Sequence, residues 1–398
     1  MQREHILNLT PEELTERLTA LEMPKFRAKQ IHEWIFQKRA ATFEQMTNIS
    51  KYERQLLAER FTIFTSTVKR NLTSADNTQK LLLEWPSEDV ASDTPAAPAP
   101  AEATSLPVVA TPSPALTECV IIPCDDDQAD DFGNTSVAIR RTACLSTQVG
   151  CPVRCAFCAS GMEGLKGNLT TGQIVEEALR LTHDLPLEGP GHRLTNIVFM
   201  GMGEPLANFN ATVAAVKVLM APWAFHISGR KITVSTVGLP PQMKRLADLG
   251  LPITLAISLH APNDELRRRL IPWAEKISIE QIVDAGSYYF EKTGRELTLE
   301  YIMFDSPSGG INTLPEHARQ LAAIAKRLRA NVNLIYYNEV PELPFLRPAG
   351  QSVFSFQNAL RASGINVHIR KSRGREIAAA CGQLARQDRH AASDLAAP

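Results

Sequence analysis

The chain has 398 residues, of which 44% are hydrophobic and 21% charged, a composition that suits a globular enzyme with one large domain and a smaller one. No apolar run is long enough to span a bilayer and no signal-peptide core follows Met1, so no membrane association is expected and the expected location is cytoplasmic. Net charge is −1, yet ten of the 43 acidic residues and none of the 42 basic ones lie between Pro86 and Asp131. The remainder therefore carries +9, a basic body compatible with a polyanionic partner.

In chain order, residues 11–70 read as helical. Thr10 or Pro11 starts one helix, and Lys25 to Arg39 places Phe26, Ile31, Trp34 and Ile35 near helical spacing. Asn48-Ile49-Ser50 offers a cap for a helix running through Phe61, and Lys80 to Trp85 reads as a short strand. Pro86 to Ala115 is rich in Pro, Ala and Ser and reads as a flexible insertion. Glu118 to Pro123 is a short strand, and Cys124 to Ser136 a second exposed loop.

From Val137 onward strands and helices alternate. The strand candidates are 137–146, 194–200, 231–236, 252–258, 297–304, 333–337 and 366–370, and 173–181, 211–220, 241–249 and 315–328 read as helices. This alternation argues for an α/β fold with a parallel sheet, a full or partial (β/α) barrel whose chemistry sits at the C-terminal strand ends.

Cysteines stand at 119, 124, 144, 151, 155, 158 and 381. An odd number with this spacing points to a metal or catalytic role, not to a disulfide scaffold. Cys151, Cys155 and Cys158 share one short loop and can ligate three irons of a [4Fe–4S] cluster, leaving the fourth iron open to a small molecule. The alternative is zinc with Cys144 as a fourth thiolate, at a spacing unusual for a structural zinc site. Met200-Gly-Met-Gly-Glu-Pro205 ends a strand. Its glycines permit close backbone approach, and Glu204 supplies a carboxylate; a simple tight turn is the plainer reading. Ser235, the run Ser258-Leu259-His260-Ala-Pro-Asn-Asp264, and Asn338 close three further strands.

The cysteine loop, with an aromatic residue before its third cysteine, resembles the signature of the radical-SAM superfamily. Cys144 in ACLSTQVGC, Cys381 in ACGQL, FRAKQIHEWIF, GMGEPL and SLHAPND narrow the resemblance to the adenine-C2/C8 RNA methyltransferases, the RlmN and Cfr family. The resemblance covers roughly residues 20–85 and 117–385. It implies a radical-SAM partial (β/α) barrel over 117–385 behind a small helical N-terminal accessory, RNA-binding domain over 1–85, with the insertion at 86–116 and a tail at 386–398.

It also implies the chemistry. C2 of adenine is electron-poor, so a polar methyl transfer is not available there. The family resemblance makes Cys381 the S-methylcysteine intermediate, Cys144 the thiol that resolves the protein–RNA adduct through a disulfide, and Glu118 the proton acceptor. It makes Cys151, Cys155 and Cys158 the cluster ligands. Gly203, Glu204, Ser235, Ser258, Leu259, His260 and Asn338 become contacts of S-adenosyl-L-methionine. The implied partners are 23S rRNA, tRNA and a reductant such as flavodoxin, with a monomer as the default state. Cys119 and Cys124 match no role.

A C8-specific enzyme of the Cfr type would use the same cysteines, and a non-catalytic zinc-stabilised RNA-binding protein is the rival outside enzymes. The sequence departs from the family pattern at Arg154, Gly167, Tyr336 and Glu376, and in the two insertions. Basic residues at 25, 27, 29, 38 and 39, and at 361, 370, 371, 373 and 375, are expected to meet RNA phosphates.

Overall fold

Two of the helix starts are written in the sequence as reciprocal caps. The structure, a computed structural model, describes residues 3–86, 115–125, 139–189, 191–307 and 309–384. Strand β1 (Glu4–His5) is followed by helices α1 (Pro11–Ala20), α2 (Arg27–His32) and α3 (Lys51–Arg60), then by β2 (Phe61–Thr62), which pairs with β1 in parallel. At the starts of α1 and α3, the hydroxyls of Thr10 and Ser50 accept the backbone N–H of Glu13 and Glu53. Those glutamates in turn accept the N–H of the capping residue.

The helix expected over 25–39 is shorter. Helix α2 gives way to a π-helical turn over Glu33–Gln37, which re-aims the face that follows. Ile31 and Ile35 are buried, whereas Phe26 is exposed beneath the Arg27 guanidinium. The chain also turns extended at Phe61, earlier than the helical reading of 11–70. Strands β3 (Thr67–Thr73) and β4 (Gln79–Trp85) form an antiparallel hairpin that joins the central sheet.

The sheet continues through β5 (Ala115–Asp125) and β6 (Ile139–Cys144), both antiparallel to their predecessors. Two short strands, β7 (Gln148–Gly150) and β8 (Leu165–Asn168), bracket the cysteine loop. Then follow α4 (Thr171–Thr182), β9 (Asn196–Phe199), α5 (Phe209–Met220), β10 (Ile232–Thr236), α6 (Pro240–Asp248) and β11 (Thr254–Ser258). The chain goes on through α7 (Asp264–Leu270), α8 (Ile279–Thr293), β12 (Thr298–Met303), α9 (Pro315–Leu328), β13 (Asn331–Tyr336), α10 (Gly350–Ala362) and β14 (Val367–Arg370). The order across the sheet is β3-β4-β5-β6-β9-β10-β11-β12-β13-β14, parallel from β6 onward.

This is an open, partial (β/α) barrel. Helix α4 packs on α5, α6 on α8, α8 on α9 and α9 on α10. Strand alternation divides the faces: Cys119 and Ile121 of β5 enter the main core, while Val120 turns to the opposite face with Cys144. No helix among the described residues is long and apolar enough to cross a membrane. Most of the acidic insertion, the 126–138 stretch and the tail from 385 lie outside the described residues.

Behind β5, Glu177 of α4 is fully buried. It accepts the Thr117 hydroxyl at 2.7 Å and the Ser146 N–H at 2.7 Å, and Thr117 accepts the Trp85 indole N–H at 2.9 Å. Burial raises its pKa to about 8. The folded state therefore holds a proton that the unfolded chain releases near pH 4.5, and this residue's contribution to stability falls as pH rises from there to about 8. Glu177→Gln, a neutral mimic, should flatten that decline. The check is the difference in thermal midpoint between pH 5.5 and pH 8, which should be smaller in the variant than in the parent.

Candidate active site

The cysteine loop lies between β7 and β8, over the C-terminal ends of the parallel strands. Cys151, Cys155 and Cys158 line a cavity of roughly 730 Å³, open mouth included, together with Gly203, Glu204, Ser235, Ser258, His260, Arg370 and Cys381. The loop is tied down by its own backbone: Cys151 N–H donates to Gly164 O (3.1 Å), Ala156 N–H to Leu270 O (2.9 Å) and Ala159 N–H to Gly382 O (2.9 Å). Arg154 takes a left-handed conformation, φ 57°, at the bend. Phe157, the aromatic residue before the third cysteine, meets His260 edge-on at 5.1 Å and Phe304 at 5.0 Å.

Burial pushes all three thiols above the ordinary cysteine range. Thiolates in such surroundings need cationic partners. Three of them on one loop fit three corners of a [4Fe–4S] cluster. A single zinc ion requires donors converging on one point, and no three Cys, His, Asp or Glu side chains do so among the described residues. Cys144 is instead packed with Val120, Met202 and Ala379.

The expected cofactor contacts divide into two groups. Ser235 and Ser258, on neighbouring strands, share a hydrogen bond at 3.1 Å and face the cavity. His260 also faces it; its Nδ1 accepts the Ile302 N–H at 3.1 Å, and burial lowers its pKa to about 3, so the ring is neutral. Glu204 lies on the wall with its carboxylate accepting the N–H groups of Leu206 (3.0 Å) and Val237 (2.9 Å), which ties the GMGEP turn to the end of β10. Burial raises its pKa to about 7. Gly203 has φ 104°, and a Cβ there would stand 2.7 Å from the Gln148 Cβ.

Leu259 and Asn338 stand apart. Leu259 is in the main core, its N–H donating to Glu300 O at 3.1 Å. The Asn338 amide donates to the Cys381 carbonyl at 3.1 Å, and its Oδ1 is buried with no hydrogen-bond partner. Glu300 Oε2, on the cavity wall, is likewise without a hydrogen bond. A bound donor such as an amino or ribose group would satisfy the Asn338 oxygen, and would join Arg370, 4.0 Å away, at Glu300 Oε2.

Cys144 ends β6, and Cys381 lies on the irregular segment after β14; both are free thiols. Burial, and then the charge of Cys381, push Cys144 up to about 12. Arg370 stands with them, its Nη1 3.2 Å from Met200 Sδ and 4.0 Å from Glu300, and the charge of Cys381 holds it protonated. The Cys381 segment leans on the cysteine loop through Gly382 and through Leu384 O, which accepts the Ser160 hydroxyl at 2.6 Å. Glu118 of β5 is buried against Lys80 of β4 at 2.8 Å. Cys119 is in the main core on the other face of β5.

Sequence reasoning did not single out Lys80 or Glu300 and placed Arg370 among the residues expected to meet RNA phosphates. Arg370 turns into the cavity instead. Two other members of the expected basic patch are committed elsewhere: Arg27 pairs with Glu53 at 2.8 Å, and Arg39 donates to the carbonyls of Leu185 and His192. Lys25, Lys29, Lys371 and Arg375 remain at or near the surface. A lysine inside the apolar strand QKLLLEW was the available signal for Lys80.

Comparison with known proteins agrees with this geometry. Residues 145–306 match the model of the radical SAM superfamily, and residues 5–63 that of the ribosomal RNA large subunit methyltransferase N-terminal domain. A Rhodopirellula baltica protein assigned as a dual-specificity RNA methyltransferase RlmN is 40% identical over 97% of this chain and 91% of its own length. The chain belongs to the RlmN family. A dual-specificity RNA methyltransferase RlmN from Nitratiruptor is 37% identical over 96% of this chain and 97% of its own. The crystal structure of a radical SAM methyltransferase from Sphaerobacter thermophilus superposes with a TM-score of 0.82 at 36% identity, covering 96% of this chain and 99% of that one. Membership makes the protein a radical-SAM RNA methyltransferase with the partial-barrel fold expected of it.

Gly203→Ala would force a side chain into a left-handed turn already in contact with Gln148. It should weaken S-adenosylmethionine binding about tenfold or more, as equilibrium dialysis on the reconstituted protein would measure.

Proposed function

We propose that the protein methylates C2 of adenine, at the peptidyl-transferase centre of 23S rRNA and beside the anticodon in tRNA, in the cytoplasm. The observation that supports it is a free thiol outside the cysteine loop, Cys381, on the same cavity as that loop, with a second free thiol, Cys144, packed behind it near enough to feel its charge. An ordinary methyl transfer needs no such pair. The word dual-specificity in the names of the relatives supports two RNA classes.

In this reading Cys151, Cys155 and Cys158 hold a [4Fe–4S] cluster. Gly203, Glu204, Ser235, Ser258 and His260 of the cavity wall hold S-adenosylmethionine, with the unpartnered Asn338 Oδ1 as a further acceptor, whereas Leu259, also expected from the sequence, is packed in the core. Bound there, and given one electron by a reductant such as flavodoxin, the two would supply a 5′-deoxyadenosyl radical. Cys381 first takes a methyl group onto its sulfur, releasing S-adenosylhomocysteine. That methyl group then loses a hydrogen atom, and its carbon bonds to C2 of an adenine turned out of the RNA stack. The adduct returns one electron to the oxidised form of the reductant and gives its ring proton to Glu118. Cys144 sulfur then bonds to Cys381 sulfur while the Cys381 sulfur–carbon bond breaks. The electron pair leaves with the carbon, which takes a proton to become the product methyl, and a dithiol reductant restores both thiols by exchange.

Cys381→Ala should abolish methylation. Cys144→Ala should accumulate protein covalently attached to RNA, visible as a band retarded in a denaturing gel and as a mass shift. Absence of any adduct would sink the relay. Mass spectrometry of digested RNA against C2- and C8-methyladenosine standards decides the target atom, a C8 product assigning the chain to the Cfr-type reaction.

A further inference from the structure

Strand β4 places Lys80 on the same face of the sheet as Glu118, one diagonal step away on β5, where Leu82 is the residue directly opposite Glu118. Both side chains are 2% exposed, and Lys80 Nζ is 2.8 Å from Glu118 Oε1. The same ammonium donates to the Ala378 carbonyl at 3.2 Å. Ala378 is left-handed, φ 49°, and lies three residues before Cys381. The hairpin turn beside it grips the same segment twice more: Asp76 Oδ2 accepts the Gly374 N–H at 3.1 Å, and Glu376 accepts the Ala75 N–H at 2.6 Å.

A lysine is almost never fully buried, and a buried ion pair adds little stability that two apolar side chains of similar volume would not. Its value here is geometric. One cation bonds the carboxylate on β5 and the backbone that leads to Cys381, so the two cannot move independently. We propose that Lys80 is the positioning residue of the reaction: it holds Glu118 as a carboxylate aimed at the adduct and sets its distance from Cys381. This rests on Glu118 being the proton acceptor.

The test compares Lys80→Met, Lys80→Arg, Glu118→Gln and the Lys80→Met/Glu118→Gln double variant as reconstituted full-length enzymes. S-methylation of Cys381 without RNA is read by mass spectrometry, and decay of the protein–RNA adduct in a single turnover by denaturing gel. Lys80→Met should still methylate Cys381 and form the adduct, which then decays about ten to a hundred times more slowly. Lys80→Arg should recover part of that rate. The double variant should decay no more slowly than Glu118→Gln alone, because Lys80 acts through Glu118.

Adduct decay at the parent rate in Lys80→Met, or a double variant slower by the product of the two single effects, overturns the proposal. If Glu118→Gln itself decays at the parent rate, the proton-acceptor reading fails first. If Glu118→Gln is slow and Lys80→Met is not, only the role of Lys80 fails. Should Lys80→Met not fold, the double variant, which leaves no buried charge unpaired, decides by its comparison with Glu118→Gln.

Discussion

Hydrogen bonds to the backbone carbonyls of the segment that carries Cys381 hold this site together. The cysteine loop reaches the Cys381 segment through Ala159 and Ser160, and Asn338 of the β13 end and Lys80 of β4 grip that segment from two further directions. Irregular chain in a buried place needs every polar group partnered. Here those partners come from three elements distant in sequence, so Cys381 faces the cysteine loop only when the whole sheet is assembled.

The sheet's own geometry explains why the chemistry gathers where it does. Parallel strands end together on one side, and the residue after each end is free to point into the curl of the barrel. Gly203, Ser235, Ser258, His260 and Arg370 occupy such ends. The antiparallel strands β3 to β5 extend the same sheet, which brings Glu118 and Lys80 to the face that Cys144 shares. Burial then sets protonation: it keeps His260 neutral, lifts Glu204 towards neutrality, and raises the thiols of the cysteine loop.

The parallel half of the fold was legible because strands buried on both faces read as apolar runs, and each expected strand from 137 to 370 has its counterpart. The capped helices were legible for a different reason, since Thr10 and Ser50 act locally. The stretch from 61 to 73 was not. Its residues VKRNLT carry the charges of an exposed strand and make no apolar alternation, and pairing with β4 decides its state. The π-helical turn at 33–37 and the exposure of Phe26 depend on which face meets the rest of the domain.

By itself the sequence determined which chemistry is available: three thiols at loop spacing, two more at 144 and 381, and the glycine and serine residues at strand ends. Side-chain type and short spacing are local properties, so both can be read without the fold. Only the tertiary structure decided that Arg370 turns into the cavity beside Cys381, that Asn338 holds the Cys381 backbone, and that Lys80 lies against Glu118. Those facts depend on which strands neighbour one another and on how the segment after β14 folds back, and long-range packing sets both.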